Sequence, residues 1–211
     1  MQNKYDKWKK WLTVIESEIT NLHRYQNIFN EVQEIIENNK LIQKPSSFYE
    51  FLAKSYVALI VMGIRRQIKI DKDSISFARL LAEIVENPQV ITRETFVAMY
   101  TNKSRGNWDF DQFAEEGKNY VNPNIIHEDL EKLRVNGKIF EDYADKKIAH
   151  NDKRKPKKIP TYKETDLYIN GLGNLLKRYV LLFRAEGLMQ VLPVYQYDWK
   201  EIFTEPWIIN I

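Results

Sequence analysis

The residues best suited to chemistry lie around His150, where a segment with helical periodicity meets a strongly basic stretch. Seven of the thirteen residues from 146 to 158 are Lys or Arg, and only Asp152 opposes them. Histidine titrates near neutral pH and therefore suits general acid/base catalysis. The neighbouring cations would bind phosphate oxygens and offset the charge that develops during phosphodiester cleavage. The alternative is that these residues only complement a helix dipole and then form a solvated loop.

The composition excludes several other kinds of site. The chain has no Cys, which removes disulfides, thiolate zinc sites and Cys nucleophiles. It has no Gly-rich phosphate loop, His-rich metal cluster or paired-carboxylate signature, so we predict no metal and no cofactor. With 32 basic and 29 acidic residues the net charge is +3, which by itself does not indicate a nucleic-acid partner. Any such interaction must depend on the local basic cluster.

Four long segments carry apolar residues at the three-and-four spacing of amphipathic helices. They cover residues 5–36, 47–66, 126–150 and 161–183, and shorter helices are predicted at 77–85 and 92–100. Capping boxes are predicted where Ser47 precedes Glu50 and where Thr161 precedes Glu164. The stretch 101–123 is predicted to be a loop with one or two helical turns. The pattern predicts an all-α helical bundle of four long helices plus short helices, roughly two-thirds helical or more.

The bundle is expected to fill residues 1–190, and residues 191–211 are expected to form an aromatic C-terminal tail. Alternation in this tail is typical of a short strand or an extended strap, which we expect to lie along the bundle. In the first helix, Trp8 and Trp11 could belong to a dimer interface or to an intramolecular seam, because both predict the same pattern. The longest strongly apolar stretch, residues 56–64, is too short to span a membrane, so we expect a cytoplasmic protein.

Three stretches of the chain resemble a known family. Residues 143–151, which read YADKKIAHN, are similar to the signature of the HEPN superfamily, a set of helical-bundle proteins of which many are metal-independent ribonucleases. Residues 64–81 and 92–96 resemble the AbiU-type branch, which is associated with bacterial abortive infection. The resemblance covers residues 52–183, most of the chain.

The resemblance implies an endoribonuclease site in which His150 takes the 2′-hydroxyl proton or protonates the leaving oxygen. Asp145 and Asn151 would orient the histidine or the ribose. The family signature also has an Arg, but Ala144 stands at its place. The site is therefore inactive, or another cation replaces the Arg, or this branch does something other than cleave. Restoring Arg at position 144 would supply the family's missing cation on the same helix as His150, and the absence of any gain in rate or RNA affinity would favour a catalytically silent subunit.

Arg65 and Arg66 are the best candidates for a replacement cation, and Lys146 is the next. Two adjacent Arg residues on a mostly apolar helix are costly unless they reach a partner or solvent. They would bind the scissile phosphate. The structural alternative is a salt bridge to Asp73 or to a carboxylate such as Glu141 or Asp145.

The principal hypothesis is a HEPN-like bundle that acts on RNA in phage defence or as a toxin. The resemblance further implies a homodimer in which two His-bearing helix ends face each other, and an antitoxin or defence-system protein is a further expected partner. The alternatives are a catalytically silent binding or sensor subunit and a structural partner protein that uses the first helix and the aromatic tail. The residues predicted to bind the RNA backbone are Lys146, Lys147, Lys153, Arg154, Lys155, Lys157 and Lys158.

Overall fold

A computed structural model describes residues 2–149 and 153–207 of the chain, and 68% of these residues are helical. The protein is all-α, as predicted, and the described residues form no strand beyond one isolated bridge between Thr92 and Tyr120. Its α-helices are α1 (Gln2–Asn38), α2 (Ser47–Ile68), α3 (Phe77–Glu86), α4 (Arg93–Ala98), α5 (Lys103–Asp111), α6 (Pro123–Tyr143) and α7 (Tyr162–Arg184).

Helix α1 supplies one wall of the core, because its apolar residues recur every three or four positions and so share one face. Trp8, Leu12, Ile15 and Ile19 are fully buried along this face, which packs against α7 and α2. The indole of Trp8 also donates a hydrogen bond of 2.8 Å to the carboxylate of Glu83 on α3. Trp8 therefore belongs to the intramolecular seam, one of the two alternatives that the sequence left open.

The N-cap of helix α2 lies one residue earlier than the sequence predicted. Ser46 is the N-cap and accepts a hydrogen bond from the Phe48 amide, so the predicted capping box of Ser47 and Glu50 does not form. Adjacent serines give the same sequence signature, and only the backbone conformation decides which of them caps. By length and composition α2 could also cross a membrane, although the core helix of a soluble protein meets the same criteria.

The region 101–123, predicted to be mostly loop, contains the nine-residue helix α5. Asn102 caps α5 by accepting a hydrogen bond from the Arg105 amide. The guanidinium of Arg93 binds Asp111 at 2.6 Å and the Lys118 carbonyl at 2.7 Å, which ties both sides of this region to α4. Tertiary contacts thus stabilise a helix whose own sequence has weak apolar periodicity.

Helices α2, α6 and α7 meet closely at Gly137. A Cβ at this position would lie 2.7 Å from a methyl carbon of Ile68 on α2 and 2.6 Å from the hydroxyl of Tyr168 on α7. The helix therefore tolerates a glycine, at a cost of about 1 kcal/mol in propensity, because no larger residue fits between the neighbours. Helix α7 begins with the predicted capping box of Thr161 and Glu164.

The C-terminal tail consists of turns and one short 3₁₀ segment, Glu201–Phe203, rather than a strand in the part the structure describes. The tail contacts α1, where Asn27 donates to the Tyr195 hydroxyl at 3.2 Å and Lys200 forms an ion pair with Glu31. Farther along, the ring of Trp207 lies edge-on to that of Phe48 on α2, with centroids 6.4 Å apart. These contacts run along the outside of the helices.

His23 on α1 is packed against Gly173 on α7. Its Nε2 atom is buried without a hydrogen-bond partner in the described part of the chain, and a Cβ at Gly173 would lie 2.5 Å from it. Burial lowers the pKa of His23, outweighing a hydrogen bond with the Ile169 backbone, and the charge of Lys177 acts in the same direction as burial. The folded protein therefore favours the neutral imidazole.

We expect His23 to make the free energy of unfolding fall as the pH falls below about 6.5, the ordinary pKa of histidine. In this range the unfolded chain binds a proton that the folded chain excludes, so the contribution is complete above this pH and is lost in acid. Urea unfolding at pH 7.5 and at about 5.5 measures the difference. His23→Gln should reduce the change in the free energy of unfolding between these two pH values, whereas His127→Gln, which changes an exposed histidine, should leave that change as in the wild type. An equal change in all three proteins would contradict the assignment to His23.

Candidate functional site

The helical path changes its hydrogen bonding just before the predicted catalytic histidine. α6 ends at Tyr143, and the next five residues, Ala144–Ile148, form a π-helical segment. The Ala149 amide donates to the Ala144 carbonyl at 2.8 Å, the i→i+5 bond of a π turn. Such segments are rare and often lie at functional sites, because the extra residue redirects the side chains that follow. His150 and Asn151 lie outside the described residues.

Ala144, at the place of the family arginine, is completely buried. The π segment to which it belongs packs against α2 as well as against the end of α6. An arginine here would have to place its charge inside this packed contact. The sequence-based expectation that restoring Arg at position 144 supplies a usable cation therefore meets a steric and electrostatic obstacle.

Arg65 reaches the π segment from the last turn of α2. Its Nε lies 2.6 Å from Oδ1 of Asp145, a short charge-assisted hydrogen bond. The two side chains remain 27% and 40% exposed, so solvent and a ligand can approach both. The structure thus brings together two of the predicted site residues, in the salt bridge that the sequence left as an alternative.

Arg66 points elsewhere. Its Nη2 lies 2.7 Å from Glu18 on α1, and its side chain is 58% exposed. Consecutive helical residues are about 100° apart around the axis, so adjacent arginines face different neighbours. Of the predicted pair, only Arg65 contacts the π segment.

Asp142 ties the basic loop, residues 153–158, to the end of α6. One of its oxygens lies 2.6 Å from the Lys146 ammonium, and the other accepts a hydrogen bond of 2.8 Å from the Lys157 amide. The hydrogen bond from Lys146, helped by that from Lys157, holds the pKa of Asp142 below its usual value. Sequence reasoning missed Asp142, although its four-residue spacing from Lys146 is a detectable signal.

Glu164 holds Lys158, the residue next to Lys157 at the same end of the basic loop. It forms an ion pair with Lys158 and also accepts hydrogen bonds from the amide and hydroxyl of Thr161. The hydrogen bond from Lys158, followed by those from Thr161, lowers the pKa of Glu164 to about 2. Glu164 is therefore ionised at neutral pH, and two acids, Asp142 and Glu164, anchor the C-terminal end of the loop.

The remaining predicted RNA-binding side chains project from this anchored loop and from the π segment. Lys147, Lys153 and Lys155 are exposed, and within residues 2–149 and 153–207 none of the three has an ion-pair partner. Arg154 is also exposed but is engaged in an interaction. Unpaired exposed cations on a fixed loop are suited to bind a polyanion, since no local salt bridge must break first.

A cavity of about 370 Å³ lies next to this cluster, between α2 and the first turn of α7. Its walls are apolar and aromatic side chains, with hydroxyl groups from tyrosines and threonines. Sequence analysis did not find it, because the residues that line it come from three separate parts of the chain: Tyr56, Val57, Ile60, Val61, Tyr143, Ile159, Pro160, Thr161, Tyr162 and Thr165.

Carboxylates that could hold a metal ion are dispersed. In the described ranges no three acidic or histidine side chains converge on a common point. Asp129, which is nearly buried, accepts a hydrogen bond of 3.1 Å from the Tyr179 hydroxyl and lies 3.4 Å from Nε of Arg178. Asp129 is thus held by the side chains of Tyr179 and Arg178.

Comparison of the chain with protein-family models, with curated proteins and with solved structures gives no match. The resemblance to the HEPN superfamily therefore stays a prediction.

Proposed function

We propose that this protein is a HEPN-like RNA-binding protein that cleaves RNA without a metal ion, in phage defence or as a toxin. The observation that supports the proposal best is the contact between Arg65 and Asp145. It places a partly exposed guanidinium on the π segment that leads to His150. A cation from α2 would thus replace the arginine that the family signature has at position 144.

In the proposed reaction the 2′-oxygen of the RNA attacks the adjacent phosphorus, and the bond from phosphorus to the 5′-oxygen breaks. His150 takes the 2′-hydroxyl proton or supplies a proton to the departing 5′-oxygen, and water exchanges the other proton, so that the products are a 2′,3′-cyclic phosphate and a 5′-hydroxyl. Arg65 binds the non-bridging phosphate oxygens, where negative charge accumulates in the transition state. Asp145 and Asn151 orient the histidine or the ribose, and the basic loop binds flanking phosphates.

To bind a phosphate, Arg65 must either contact Asp145 and the phosphate at the same time or give up its salt bridge to Asp145. A partly exposed ion pair contributes only about 1 kcal/mol or less to stability, so exchange for a phosphate is feasible. Arginine has five N–H donors in a planar fork and can therefore contact a carboxylate on one edge and a phosphate on another. The salt bridge would then position the cation before substrate binds.

The broader features of the hypothesis remain part of the proposal. We propose that α1, α2, α6 and α7 form one four-helix bundle in a domain of residues 1–190, with residues 191–211 as a strap. The protein would act in the cytoplasm as a homodimer, and an antitoxin or defence-system protein would be its partner. Because Trp8 lies in the core, the dimer interface would use a surface other than the Trp8 face of α1.

A second candidate function is a catalytically silent RNA-binding subunit. The specific observation in its favour is that the buried Ala144 leaves no room for the family arginine. In addition, Lys146 is neutralised by Asp142 and Arg65 by Asp145. The exposed lysines of the basic loop would then bind RNA without a site that cleaves it.

The decisive experiment incubates purified protein with several RNAs, with and without a chelator, and compares His150→Ala with the wild type. We expect cleavage that survives the chelator and falls by about 10²- to 10⁴-fold in the variant. His127→Ala, which removes an exposed histidine at the start of α6, is the matched control and should retain activity. Cleavage that persists in His150→Ala would refute the mechanism, and binding without cleavage by the wild type would favour the silent subunit.

A further inference from the structure

The cavity between α2 and the start of α7 has an aromatic wall that is already ordered. The ring of Tyr56 stacks on Phe29, with centroids 3.9 Å apart and planes 1° from parallel. Tyr162 lies 6.2 Å from Tyr56 at 38°, and 5.5 Å from Phe29. Phe29, which does not line the cavity, thus supports the two lining rings of Tyr56 and Tyr162. A flat guest would meet an aromatic surface that costs little to order.

The same cavity offers hydroxyl groups that the described part of the chain does not use in hydrogen bonds. The hydroxyls of Tyr56, Tyr143 and Tyr162 have no hydrogen-bond partner in the described part of the chain. Burial, with smaller effects of Asp166 and Tyr162, raises the pKa of Tyr56 well above its usual value. This phenol therefore stays protonated and can donate as well as accept. Aliphatic and aromatic walls with a few polar groups are typical of small-molecule pockets.

The cavity is bordered by the C-terminal end of the basic loop. Ile159 and Pro160, which line it, follow Lys158 directly in the chain. Tyr143, which also lines the cavity, follows Asp142, the residue that holds Lys146 and the Lys157 amide. A ligand in the cavity would thus lie next to the C-terminal end of the basic loop. Such a combination of aromatic rings and nearby cations is characteristic of single-strand nucleic-acid binding.

We propose that this cavity binds one unstacked base of the RNA strand whose phosphates lie on the basic loop. The proposal rests on the proposed function, because the phosphates of that strand must first be held by the lysines. Stacking on Tyr162, which is half exposed, would supply affinity, and the phenol groups of the cavity would contact the polar edge of the base. The volume of about 370 Å³ is at the small end of the range of about 300–1,000 Å³ for ligand pockets, which suits one base.

The test measures binding of a short fluorescein-labelled oligouridine by anisotropy at several salt concentrations. Tyr162→Ala should weaken binding by about 5- to 100-fold, the effect of losing one stacked base. The slope of affinity against salt should not change, because no phosphate contact is lost. Tyr162→Phe should retain most of the affinity. Tyr197→Ala, which removes an exposed tyrosine of the tail, is the matched control and should bind like the wild type.

A second measurement does not depend on the fold of a variant. The wild type is titrated with an oligonucleotide that has the same ribose-phosphate backbone but no bases, and we expect a similar loss of affinity. Equal binding of both oligonucleotides, or of Tyr162→Ala and wild type, would overturn the base pocket but leave RNA binding intact. Absence of any salt-dependent RNA binding would overturn the proposed function itself, and the base pocket with it.

Discussion

Ala144→Arg is expected to lower the free energy of unfolding by about 3–5 kcal/mol, the cost of a buried charge without a partner. Ala144 is completely buried where the π segment packs on α2, so the longer side chain would also overpack this contact. Arg65 already supplies a cation beside Asp145, which leaves nothing for a second one to restore. Urea unfolding followed by circular dichroism measures the effect.

Lys147→Arg is the matched control for this substitution, since it places an arginine at an exposed position of the same π segment. It should change stability by no more than about 0.5 kcal/mol, as for most surface substitutions. An Ala144→Arg protein that keeps its stability and gains RNA cleavage would contradict the burial argument. It would instead support the simpler interpretation that position 144 can accept the family arginine.

Arg65→Ala is expected to reduce RNA cleavage by about 10²- to 10³-fold, the loss typical when one group that stabilises transition-state charge is removed. The guanidinium is proposed to bind the phosphate oxygens on which negative charge accumulates in the transition state. The loss should therefore fall mainly on the rate of the bound complex. Stability should fall by about 1 kcal/mol or less, since the ion pair with Asp145 is partly exposed. Single-turnover cleavage and urea unfolding separate the two effects.

The chain offers a matched control one residue away. Arg66→Ala also breaks one partly exposed salt bridge, but to Glu18 on α1 rather than to the π segment. Its loss of stability should resemble that of Arg65→Ala, whereas its cleavage rate should stay close to that of the wild type. If both variants lose activity in proportion to stability, the pair is structural and the phosphate-binding role of Arg65 is wrong.

The sequence by itself predicts most of the secondary structure, because helix-forming patterns are local. The buried stripe of α1 and the capping box of Thr161 and Glu164 are both present as predicted. Where the prediction failed, the competing signals were also local. Ser46 and Ser47 are equally good caps in composition, and α5 has weak apolar periodicity. Such choices are decided by contacts with the rest of the chain.

The candidate site also has features that residue types predict and features that only tertiary contacts decide. A pair of arginines on an apolar helix could be recognised as exceptional from residue types alone, since charge is costly there. Which of them reaches Asp145 depends on the rotation of α2 relative to α6, since neighbouring positions point about 100° apart. The burial of Ala144 depends likewise on how closely these helices approach. Neither the rotation of α2 relative to α6 nor the distance between these helices can be read from the local sequence.

The cavity beside the basic loop is the clearest product of tertiary structure. Tyr56, Tyr143 and Tyr162 are separated by long stretches of sequence, and each has an ordinary place in its own segment. They line one cavity only because α2, the end of α6 and the start of α7 converge. The sequence determined the helices and the charges, because both depend on neighbours in the chain. The folded structure alone decided which charges and rings meet, because long-range packing sets those distances.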